Sequence, residues 1–115
     1  MDLPSFASPS NPKVKRIRTL CQRQARDESG LFLVEGIRPV GEAIQAGASL
    51  AYLCYSPDRL TSDYARRLIR AQEARGVLVY AVAKEVFETL VDKENPQGIL
   101  AVATGVMLYA MLGRL

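Results

Sequence analysis

The chain is expected to fold as an α/β sandwich, because short uncharged apolar runs alternate along it with amphipathic segments. Glycine or proline punctuates nearly every junction between them. Its 115 residues suffice for one core but not two. An apolar content of 49% and a charged content of 23% exclude a disordered or fibrous chain.

Residues 1–10, rich in Ser and Pro, are expected to form a flexible arm, residues 11–103 the domain, and residues 104–115 an apolar tail or truncated linker. Asn11-Pro12 reads as an N-cap followed by proline at the first helical position, where the missing N–H is harmless. Val14, Ile17, Leu20, Cys21 and Ala25 recur at helical spacing, so one helix is expected to run on to a stop at Gly30. Leu31–Glu35 is a short apolar run and a strand covered on both faces, ended by Gly36. Val40, Ala43, Ile44 and Ala46 mark a short helix closed by Gly47. Leu50–Tyr55 is the second strand, ended by Ser56-Pro57. A longer helix follows from about Ser62 to Arg75, with Tyr64, Ala65, Leu68, Ile69 and Gln72 along one side. Val77–Val82 is the third strand, Lys84–Val91 a helix with Val86, Phe87 and Leu90 inward, and Ile99–Ala103 the fourth strand. This order implies a central sheet with helices on both faces.

The charge is unevenly placed. The net +3 resides within residues 1–30, which hold six Lys/Arg and three acids, whereas residues 31–115 hold nine of each. Such asymmetry points to a polyanion partner. Lys15, Arg16, Arg23 and Arg26 would share one arc of a continuous helix, with Lys13 and Arg18 beside it. Charge runs on helices are commonly solvated faces, but no acid falls within residues 12–26 to relieve this one. Phosphate contact is therefore the favoured reading. Arg66, Arg67 and Arg70 have Asp63 and Glu73 near them, so there a solvated face is favoured.

Two loops carry the remaining candidates. Val34-Glu35-Gly36-Ile37-Arg38 is a strand-to-helix turn, where ligands of open sheets gather and helical N–H groups attract anions. Glu94-Asn95-Pro96-Gln97-Gly98 offers two side-chain amides suited to base edges or a ribose 2′-hydroxyl. Each would equally serve as a plain turn. Gly36 and Gly41 have the spacing of a phosphate loop, but Glu42-Ala43 stand where its Lys and hydroxyl belong, which argues against an NTPase. No histidine, metal cluster or nucleophile elbow is present, so no self-sufficient active site is expected.

Asn11-Pro12-Lys13-Val14-Lys15, Gly30-Leu31-Phe32-Leu33-Val34-Glu35-Gly36-Ile37-Arg38, Glu42-Ala43 and Asn95-Pro96-Gln97-Gly98-Ile99-Leu100-Ala101-Val102 occur in order over residues 8 to 102. In these the chain resembles the N-terminal substrate-binding domain of the SpoU/TrmH-type RNA 2′-O-ribose methyltransferases. The resemblance implies a three-layer α/β/α sandwich with a four-stranded mixed sheet, as in ribosomal proteins that bind kinked RNA, its last strand antiparallel. That direction matters: it would bring Asn95–Gly98 to the same sheet end as Glu35–Arg38. It further implies an RNA-binding domain, with Lys13, Lys15, Arg16, Arg18, Arg23 and Arg26 on phosphates and Glu35, Gly36, Arg38, Asn95 and Gln97 on sugar or bases. No cofactor is expected in this chain; S-adenosylmethionine is expected for the full-length enzyme, bound by a knotted catalytic domain that residues 1–115 do not include.

Structured ribosomal or transfer RNA is thus the expected partner, with no DNA, and full-length family members are expected to be homodimers. The alternative is an interaction module docking through the tail at 104–115, and a small α/β enzyme with a crevice at the sheet edge is a third reading. A cytoplasmic location is expected. Met1-Asp2-Leu3-Pro4-Ser5 lacks the basic and apolar regions of a signal peptide, and the cysteines Cys21 and Cys54 suggest no disulfide framework. No membrane span is expected either, because the uncharged run Gly98–Gly113 is 16 residues, interrupted by Thr104 and Gly105, where a span needs about 20.

Overall fold

The computed structural model describes residues 6–91 and 96–104. Nine elements follow in order: α1 (Pro12–Thr19), α2 (Arg23–Ser29), β1 (Leu31–Glu35), α3 (Ile37–Gln45), β2 (Leu50–Tyr55), α4 (Asp63–Ala74), β3 (Leu78–Ala81), α5 (Lys84–Leu90) and β4 (Ile99–Thr104). The sheet runs β1-β4-β2-β3. β2 and β3 are parallel, and β4 is antiparallel to both β1 and β2. The mixed sheet and the direction of its last strand are as expected.

β4 lies inside the sheet, flanked by a strand on each side, which explains its unbroken apolar run Ile99–Ala103. Its side chains alternate between two cores. Leu100 and Val102 join Val14 and Ile17 of α1, Leu20 just past its end, and Phe87 and Leu90 of α5. Ile99, Ala101 and Ala103 join Val40 and Ala43 of α3 and Ala65 and Ile69 of α4. The period of two along one strand thus builds three layers. β1 is an edge strand and only half-buried apart from Val34, so the expected full cover holds less well there than at β4.

One helix became two. The Asn11 cap forms as expected, its side chain accepting from Lys13 N at 2.9 Å with Pro12 at the first turn. The helix then ends at Thr19, Gln22 adopts an extended conformation, and α2 begins at Arg23. The buried stripe stops at Leu20: Cys21 is exposed, Ala25 is half-buried and α2 buries no residue completely. Nothing apolar therefore holds the second segment on the axis of the first. Side chains close the break, with Thr19 Oγ1 donating to Arg16 O at 2.8 Å and Arg26 Nη1 donating to Leu20 O and Cys21 O at 3.1 and 3.0 Å. α2 ends at Gly30, as expected.

Burial pushes the Tyr52 phenol up from 10.0 to about 12, against a smaller downward pull from Arg16. Burial likewise pushes the Cys54 thiol up from 9.0 to about 12. Both groups titrate higher folded than unfolded, so the stability they confer is complete below pH 9 and is lost as pH rises through about 12. Urea midpoints are expected to stay level up to about pH 9 and then fall towards pH 12. A midpoint that holds up to pH 12 would show both groups ionising freely in the native chain.

Candidate nucleic-acid interface

The carboxyl ends of β1 and β2 and the amino end of β4 meet on one rim of the sheet. Glu35 faces Leu100, and Tyr55 faces Ile99 across the ladders. Gly36 N donates to Ile99 O at 3.0 Å, and Ser56 N donates to Gly98 O at 2.9 Å. The two loops flagged in the sequence are therefore neighbours, because β4 runs against β1.

They also touch through side chains. Gln97 Oε1 accepts from Ile37 N at 2.7 Å and so caps α3, whose own N-cap, Gly36, has no side chain to do it. Gly36 adopts φ 104, and a Cβ there would stand 3.0 Å from Gln97 Oε1. The close approach that Gly36 permits is made by the chain itself, and Gly36 is buried. Pro39 has no N–H, and Val40 N is bonded to Gly36 O, so the start of α3 offers an anion little beyond Arg38 N. The anion-binding reading of this helix start is corrected accordingly. Replacing Gln97 by Ala should cost about 0.5–2 kcal/mol in urea unfolding, whereas Gln97→Glu keeps an oxygen at the positive helix end and should cost little. Equal losses in both variants would show that the cap is not what Gln97 contributes.

Arg59, a residue the sequence reading passed over, holds the other side of the loop. Its Nε donates to Pro96 O at 2.8 Å, and its Nη1 lies 3.4 Å from Glu88 Oε1 on α5. One residue on, Thr89 Oγ1 accepts from Arg18 Nη2 of α1 at 2.9 Å. Two separate polar contacts on neighbouring α5 residues thus fasten α5 to the rim loop on one side and to α1 on the other. A lone arginine after Ser56-Pro57 was the only trace of the rim contact in the sequence.

The basic residues divide. Lys13 Nζ lies 5.4 Å from the centre of the Tyr52 ring, whose hydroxyl donates to Lys13 O at 2.9 Å. Arg18 turns towards α5 and Lys15 and Arg16 towards α2, where they line a groove of about 460 Å³ with Thr19, Leu20, Ala25, Glu28 and Ser29. Neither the Lys15 ammonium nor the Arg16 guanidinium hydrogen-bonds or ion-pairs with another described residue. Arg23 sits 3.8 Å from Asp27, an exposed and hence weak pair. Arg26 is committed to the carbonyls of the α1 end, so Arg23 and Arg26 do not share the arc expected of one long helix. On α4, Arg66 donates to Leu60 O and Pro57 O instead of pairing with an acid.

Arg38, exposed at the rim, lies 3.3 Å from Glu42. Glu35 is half-buried at the end of β1. Asn95 lies outside the described residues, as does the tail beyond Thr104. Among the described residues no His/Cys/Asp/Glu group could hold a metal, and no helix is long and apolar enough to cross a membrane.

Comparison with known proteins matches residues 11–101 to the family described as the MRM3-like substrate binding domain. The chain is 30% identical over 105 residues to an uncharacterized tRNA/rRNA methyltransferase of Synechocystis sp., covering 90% of this chain and 37% of that protein. It is 33% identical over 84 residues to the 23S rRNA (uridine(2479)-2′-O)-methyltransferase of Streptomyces viridochromogenes, covering 72% of this chain and 28% of that one. An AdoMet-bound rRNA methyltransferase from Sinorhizobium meliloti superposes with TM-score 0.69 at 32% identity, over 86% of this chain and 35% of its own. The chain spans about a third of the length of these relatives.

Proposed function

The chain belongs to the MRM3-like substrate binding domain family, and from that membership we propose that it binds and orients structured ribosomal or transfer RNA for 2′-O-ribose methylation. The observation that carries this reading is the joining of the Gly36 and Gln97 loops at one rim, in a chain whose α1 carries the unpaired charges of Lys15 and Arg16. Lys15, Arg16, Arg18 and Arg23 contact phosphates, and these alone carry the salt dependence. Lys13 and Arg26 shape that surface from partly committed positions. Arg38, the free face of the Gln97 amide, Glu35 and Asn95 meet sugar or bases, over a turn that Gly36 makes possible. The chain's part is positioning, and the methyl transfer belongs to the whole protein.

S-adenosylmethionine, which the Sinorhizobium relative holds, carries a sulfonium cation. With its ammonium and carboxylate it is a net cation, and in the α1–α2 groove Lys15 and Arg16 outnumber Glu28, so the groove's net charge does not fit the cofactor. We assign the cofactor to the rest of the whole protein, which we place in the cytoplasm as a homodimer.

Filter binding of a ribosomal RNA fragment across a salt series tests the reading. With about four phosphates neutralised, the plot of log affinity against log salt should slope by roughly −3 to −4. A slope near zero, or no binding at low ionic strength, would overturn it.

A further inference from the structure

We infer that the groove between α1 and α2 is a nucleotide subsite selective for an unpaired guanine, with Glu28 as the contact that specifies the base. The inference rests on the RNA-binding reading above and adds to it a site and a preference.

The groove exists because the chain breaks at Leu20–Gln22, and the Arg26 guanidinium holds that corner at 3.0–3.1 Å from two carbonyls. Its volume of about 460 Å³ suits a small ligand, since such sites run from about 300 to 1,000 Å³. The two walls differ in charge. The Lys15 ammonium and the Arg16 guanidinium stand on α1 without a hydrogen-bond or ion-pair partner among the described residues, while Glu28 stands on α2 with Oε1 accepting from Gln24 Nε2 at 3.1 Å. A phosphate alone would gain from the first wall and be repelled by the second. A nucleotide satisfies both, with its phosphate at the cations and donor groups of its base at the carboxylate.

Ionised carboxylates only accept hydrogen bonds. Guanine presents two adjacent donors, N1–H and the N2 amino group, which the two oxygens of Glu28 can take side by side. Adenine and cytosine place an acceptor nitrogen beside their amino group, and uracil flanks its one N–H with carbonyls, so each sets a lone pair against the carboxylate. Leu20 and Ala25 supply an apolar floor for the base. Thr19 Oγ1 spends its proton on Arg16 O and keeps lone pairs for a ribose hydroxyl.

Short single-stranded RNA probes, alike except for one central G, A, C or U, test this by fluorescence anisotropy on the whole chain at low salt. The G probe should bind on the order of tenfold more tightly than the other three. Glu28→Gln, a conservative change at an exposed position, should abolish the preference for G, because its amide sets an N–H against one of guanine's two donors, and should leave the urea unfolding midpoint unchanged. Equal affinities for the four probes in the unmodified chain, or a G preference that survives Glu28→Gln, would overturn the subsite. If the ribosomal fragment still binds with its expected salt slope, only the subsite falls; if no RNA binds at all, the RNA-binding reading falls with it.

Discussion

Replacing Gly98 with alanine is expected to destabilise the fold by about 2–6 kcal/mol, the largest loss from adding a single methyl group to the rim. Gly98 adopts φ 94, a conformation that costs an L-residue about 1–3 kcal/mol. The added Cβ would also stand 3.1 Å from Leu60 N and 3.2 Å from Arg59 Cβ. The first of these is backbone and cannot swing aside, so either the turn after β2 or the start of β4 must move, at about 1–3 kcal/mol more. Movement there would stretch the Ser56–Gly98 hydrogen bond and the Arg59–Pro96 contact together. Urea unfolding at neutral pH measures the effect. A variant within about 0.5 kcal/mol of the parent, the range of an ordinary surface change, would contradict this geometry.

The double variant Lys15→Ala/Arg16→Ala should flatten the salt dependence of RNA binding by about one to two units, because each neutralised phosphate contributes roughly 0.7–0.9. Both side chains are exposed and make no hydrogen bond or ion pair with a described residue, so the fold should keep its unfolding midpoint. Arg67→Ala/Arg75→Ala on the α4 side removes the same charge from another face and should leave the slope unchanged. Equal flattening by both pairs would mean that the chain attracts RNA through net charge alone. An unchanged slope in the Lys15/Arg16 variant would remove α1 from the interface.

The strands were plain in the sequence because each is a short apolar run with glycine or proline at its end, and Leu31–Glu35 and Leu50–Tyr55 stand where they were expected. The α1–α2 break was hidden for a physical reason. Helical spacing continues through Cys21 and Ala25, while the break depends on where burial stops and on side chains that close carbonyls. The cap on α3 was equally hidden, since its oxygen comes from Gln97, sixty residues away. Periodicity reports which face a residue occupies, not which distant partner it meets. The convergence of the two loops was accessible only through family resemblance, because residue patterns alone do not distinguish a parallel last strand from an antiparallel one.

Amide chemical shifts recorded while a ribosomal RNA fragment is titrated into the chain locate its contacts residue by residue. Perturbations should concentrate at Lys15–Thr19, Gly36–Arg38 and Gln97–Gly98. Gly47–Leu50 and Gly76–Leu78, at the opposite end of the sheet, should be spared. Perturbations centred on that opposite end, or a spectrum unchanged at low ionic strength, would contradict RNA binding at the joined rim.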